Sequence, residues 1–74
     1  MKTFAVWFHG NKVARIEDVT DWHDDIMRGY ELDGEQAATE IQKATDASAV
    51  VVAHDRSEAI AEAAKVVGLE EVGT

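Results

Sequence analysis

The chain contains no cysteine and no proline. Without cysteine there is no disulfide framework, no thiolate metal site and no thiol nucleophile. The absence of proline and of low-complexity tracts argues against long disordered segments, leaving only fraying ends. Long apolar runs are missing too, and nothing approaches the roughly 20 residues of a membrane-spanning helix. No apolar stretch follows Met1-Lys2-Thr3-Phe4, so no signal peptide is read and a reducing cytoplasm is the expected compartment. Cations are scarce, with seven Lys and Arg against fifteen Asp and Glu, for a net charge of −8. Such a field repels nucleic-acid phosphates and disfavours direct binding to them. It favours solubility and a basic protein partner.

Catalytic signatures are equally sparse. Ser48 and Ser57 lack the glycine frame of a nucleophile elbow. There is no Walker-type loop and no dinucleotide fingerprint, and Asp21 to Asp25 lacks the glycine and distal glutamate of a calcium loop. His23 has Val19, Thr20, Ile26 and Met27 at the helical spacings where a second metal ligand would stand. The expectation is therefore a half-buried histidine rather than a ligand. No enzyme activity, no catalytic residue, no metal and no cofactor is expected.

What is present is a single 74-residue domain with 46% hydrophobic residues. Ala49 to Ala53 is a short apolar run, suited to a strand covered on both faces. His54-Asp55-Arg56-Ser57-Glu58 turns it into a helix, capped by Asp55 or Ser57 and closed by Gly68. Ile60, Ala63, Ala64 and Val67 form that helix's expected core face. Upstream, Lys2 to His9 alternates in the manner of a strand, Gly10-Asn11 is a two-residue hairpin signal, and Lys12 to Glu17 returns. A regular hairpin pairs Phe8 with Val13 and Trp7 with Ala14. It puts Phe4, Val6 and Phe8 on the core face, and Ala5, Trp7, Ala14 and Ile16 on the other.

Asp18 to Tyr30 is an amphipathic helix, with Val19, Trp22, Ile26 and Tyr30 as its apolar stripe and Gly29 near its stop. Asp33 with Gln36 three residues on is a capping-box variant that opens a second helix. Its narrow apolar face holds Ala37, Ala38, Ile41 and Ala44. Leu69 to Val72 can add a short edge strand, and Gly73-Thr74 is a tail. The expected fold is α/β (α+β), a mixed three- to four-stranded sheet in the order β-β-α-α-β-α. The helices pack on the sheet, and the first strand is central beside the third.

Charge is unevenly distributed. Residues 1–16 carry +3, residues 17–46 carry −8 and residues 47–74 carry −3. Asp18, Asp21, Asp24, Asp25, Glu31, Asp33, Glu35 and Glu40 come from the two middle helices. A patch of this kind can occupy a basic groove that otherwise holds nucleic acid. The competing reading is a solvated helix face. Trp7, whose sheet face has no assured cover, joins the candidate partner surface or seals a homo-oligomer through the hairpin.

A small anion or metal site is the alternative. It would use His9 and His54 at neighbouring strand ends, with Asp55, Arg56 and Ser57 at the helix start.

In size, charge and lack of catalytic motifs the chain is similar to small phage- or mobile-element-encoded accessory proteins, among them anti-CRISPR inhibitors. The likeness is one of style and carries over no residues. It implies a non-enzymatic protein-binding inhibitor that docks on a basic protein or a nucleic-acid-processing complex, with no membrane involvement.

Overall fold

A computed structural model describes residues 1–70. The elements are β1 (Lys2–His9), β2 (Lys12–Asp18), α1 (Thr20–Tyr30), α2 (Gly34–Thr45), β3 (Ala49–Ala53) and α3 (Arg56–Val67). They form one three-stranded sheet in the order β2-β1-β3, with three helices. The α+β class, the element order and the central β1 are as expected. Of the strand expected at Leu69 to Val72, Leu69 and Glu70 are not in a strand, and residues 71–72 lie outside the described residues.

Gly10 turns the hairpin with φ of 64° while Asn11 keeps an ordinary φ. Glycine in the first central position is the signature of a type II′ turn, whose twist matches the flanking strands. Phe8 pairs with Val13 as expected, but Trp7 pairs with Arg15, leaving Ala14 as a one-residue bulge. Side chains alternate with a period of two, so one extra residue moves everything beyond it to the opposite face. Ile16 therefore lies opposite Val6, on the Phe4/Val6/Phe8 face, and not beside Trp7.

The third strand runs antiparallel to β1, with Lys2 opposite Ala53 and Val6 opposite Ala49. It points the same way as β2, but its neighbour is β1. Both ladders are thus antiparallel, and the expected mixed sheet is corrected to an antiparallel one.

Each sheet face has its own cover, so the domain has three layers. On one face Phe4, Val6, Ala49, Val51 and Ala53 pack against Ala59 and Ala63 of α3, with Phe8, Val13 and Ile16 at the margin. On the other, Ala5 packs with Val19, Ile41 and Ala47, joined by Trp7, Ile26 and Val50. This two-sided cover explains why β3 is apolar throughout. The buried line of α3 is Ala59, Ala63 and Ala64; Ile60 is half-buried and Val67 is exposed. Alanines let the helix axis approach the sheet closely, at the cost of little buried area per residue.

Local signals set most helix ends. Asp33 accepts from the Gln36 amide at 2.8 Å, and Gln36 Oε1 accepts from the Asp33 amide at 3.1 Å, completing the capping box. Asp55 accepts from the Glu58 amide at 2.9 Å, and Gly68 ends α3 with φ of 80°. The stop of α1 differs from expectation. The helix runs through Gly29, and Glu31 takes the left-handed position with φ of 54°. No described helix is long and apolar enough to cross a membrane.

Candidate protein-interaction surface

The start of α1 is tied to the sheet by a relay of hydrogen bonds. The Thr3 amide donates to Thr20 Oγ1 at 3.0 Å, and the Thr20 hydroxyl and amide both donate to Asp18 Oδ1. The Val19 amide donates to the Thr3 carbonyl at 2.8 Å. The Thr20 hydroxyl, then the Thr20 amide, hold the Asp18 carboxyl below its ordinary value, helped by the charges of Lys2 and Arg56 against a smaller desolvation effect. A depressed folded value means stability that is present above the unfolded value, near 3.8, and lost as pH falls through the folded one. Asp18→Asn is accordingly expected to lose less stability than the parent chain between pH 5 and the acid limit. Urea unfolding across that range checks it.

The structure places the eight candidate carboxylates on or beside α1 and α2, the helix pair that covers one sheet face. They are not equally available. Asp18 ends β2 and accepts from the Thr20 amide and hydroxyl, Asp33 caps α2, and Asp25 lies 3.6 Å from Arg28. Asp21, Asp24, Glu31, Glu35 and Glu40 are exposed, and their carboxylates have no hydrogen-bond or ion-pair partner among the described residues.

Trp7 does not belong to this surface. It is half-buried under the helix pair, its Nε1 donates to the Thr45 carbonyl at 3.2 Å, and Arg15 lies 4.9 Å from its ring centroid. The bulge is responsible, because it brings Arg15 opposite Trp7. The expected roles of the two tryptophans are reversed. Trp22 is 39% exposed and Tyr30 is 75% exposed.

Both aromatics line an open cleft of about 460 Å³ between α1 and α2, with Ile26, Leu32, Ala44 and Glu40. The buried arc of α1 is instead Val19, His23 and, in part, Ile26. At about 100° per residue, Trp22 stands roughly 60° to one side of Val19 and His23 about 40° to the other. Either could have faced inward on periodicity alone. His23 wins because its Nε2–H finds the Gly34 carbonyl at 2.9 Å, tying α1 to the start of α2.

The alternative site is taken apart by the strand directions. His9 ends β1, whereas His54 follows Ala53, which pairs with Lys2 at the other end of β1. Seven residue steps separate these ends, about 23 Å at the usual rise. His54 Nδ1 instead lies 2.9 Å from Glu58 Oε2. The Asp55 carboxylate already occupies the helix start next to Arg56 and Ser57, where an anion would have to bind. Among the described residues no group of three or more His, Asp and Glu is placed to hold a metal ion.

Fold and surface together define a small α+β domain with an apolar cleft set among acids. No protein-family model matches the chain, and neither a curated protein nor a solved structure matches it.

Proposed function

We propose that this chain is a non-enzymatic protein-binding module whose α1–α2 side docks on a basic, nucleic-acid-binding surface of a target protein and occludes it. One observation carries the reading: an apolar cleft with two exposed aromatics lies between the two helices of the acidic middle segment, residues 17–46. Interfaces draw most of their energy from buried aromatic anchors, while surrounding charges steer encounter and orientation. Trp22 and Tyr30 supply the anchors. Asp21, Asp24 and Glu40 supply unpaired negative charge for lysines and arginines that otherwise hold phosphates. In action this is an inhibitor of a nucleic-acid-processing complex, in the manner of the phage-type accessory proteins.

The test is capture of the target from host lysate, followed by binding and displacement measurements with the purified target. Asp21→Lys/Asp24→Lys/Glu40→Lys is expected to weaken binding at least tenfold and to abolish displacement of nucleic acid. Trp22→Ala is expected to weaken binding at any salt concentration. Raising salt, which shortens the screening length from about 10 Å at 0.1 M to about 3 Å at 1 M, is expected to weaken the parent chain more than the triple variant. Binding that survives the reversal and ignores salt refutes the reading.

A further inference from the structure

We propose that two copies of this chain pair through the outer edge of β3, making one continuous six-stranded antiparallel sheet. The sheet has two edges, and they are treated very differently. The β2 edge carries Lys12, Arg15, Glu17 and Asp18 and is kinked by the bulge at Ala14. Charges and bulges are the usual means by which a sheet edge is kept from pairing. The β3 edge has neither. Its ladder to β1 is regular, its sequence Ala49-Val50-Val51-Val52-Ala53 has no charge and no proline, and Val52 is 48% exposed. Among the described residues no strand pairs with its outer side.

The occupant is identified by symmetry. Ala-Val-Val-Val-Ala reads the same in both directions about Val51. A two-fold contact is self-complementary, with each residue meeting its mirror position in the partner. Antiparallel pairing about Val51 sets Ala49 against Ala53 and Val50 against Val52 of the second copy. Faces match as well as sizes: Ala49, Val51 and Ala53 remain on the α3 side in both copies, and Val50 and Val52 on the α1–α2 side.

Asp46 precedes the strand, and Asp55, Arg56 and Glu58 follow it, so antiparallel pairing sets one acid against a group of mixed charge at each rim. The register is therefore set by the strand itself and not by these charges. A basic target strand would find no acid on this edge. The two-fold axis stands perpendicular to the sheet, so the α1–α2 sides of both copies face the same way and present two clefts together.

This inference is independent of the proposed function, because it concerns a different edge and is read without any partner. Sedimentation equilibrium of the full chain, across a dilution series from millimolar to micromolar, is expected to show reversible doubling of the 8.1 kDa mass. Val52→Lys places a charge on an already exposed side chain of the edge. It is expected to leave the circular dichroism spectrum unchanged and to shift dimer dissociation at least tenfold toward monomer. Amide exchange gives a readout that needs no variant: extra protection at high concentration should be confined to β3. A strict monomer at millimolar concentration overturns the proposal. So does a dimer indifferent to folded Val52→Lys, or concentration-dependent protection located elsewhere.

Discussion

Phe4→Ala is expected to destabilise the domain by roughly 3–5 kcal/mol, the range for truncating a buried aromatic. At about 0.05–0.15 kcal/mol per residue, a chain of this length has roughly 4–11 kcal/mol of stability in all. The variant should therefore be partly unfolded at ambient temperature or melt far below the parent, since each kcal/mol moves the midpoint by roughly 4–8 °C in a domain this small. The upper part of the range is expected for a local reason. Phe4 is the largest buried side chain in its cluster, and the helix above it offers Ala59 and Ala63. Methyl groups cannot extend into the space a lost ring leaves, so the cavity stays open. Thermal melting by circular dichroism measures the loss. Val52→Ala, on the same sheet but 48% exposed, is the control and should move stability far less.

Ile41→Ala, in the other layer, is expected to cost roughly 2–5 kcal/mol. Ile41 is fully buried at the point where α2 meets Ala5, Val19 and Ala47, with Trp7, Ile26 and Val50 around them. Its neighbours on the buried line of α2 are alanines or half-buried residues, so no other large side chain there fixes the helix to the sheet. The effect should be felt first in the layer that forms the cleft. In a Trp22→Phe background, fluorescence reports Trp7 alone; Ile41→Ala should shift its emission to the red at denaturant concentrations where the parent is still folded. Equal midpoints for the two chains would show that α2 is held by other contacts. Loss of this layer also removes the proposed docking surface, so binding assays on core variants must be read beside their melting curves.

The two variants probe faces that are legible in the sequence to different degrees. The Phe4/Val6/Phe8 face is plain from alternation, and α3 as an element follows from the apolar run and the Asp55 cap, whereas its place over that face is a tertiary fact. The opposite face was readable only as apolar and in need of cover. That α1 and α2 provide the cover is a tertiary fact, and it leaves Trp7 half-buried with its indole N–H bonded to the Thr45 carbonyl.

The candidate surface divides in the same way. Its acids are evident from composition along the chain, because charge is a property of residues. Its cleft was not evident, because Trp22 and His23 are neighbours on either side of the same buried arc. The choice between them rests on one carbonyl, that of Gly34, contributed by another helix. The His9/His54 site fails for a comparable reason. A chain that crosses a sheet from β2 can return beside either neighbour, and only the packing of the helix pair places β3 against β1 with opposed direction.

What the sequence by itself determined is the set of elements and most of their ends, but not the two ends of α1: the Gly10 turn, the Asp33 and Asp55 caps, the Gly68 stop and the apolar periods between them. These are local, since each signal acts on backbone groups within a few residues. Tertiary structure alone decided the bulge at Ala14, the strand directions, the burial of His23 in preference to Trp22, and, among the described residues, the unpaired outer edge of β3. Each of these depends on groups distant in the chain competing for the same space or the same hydrogen bond, and no window along the sequence contains both competitors.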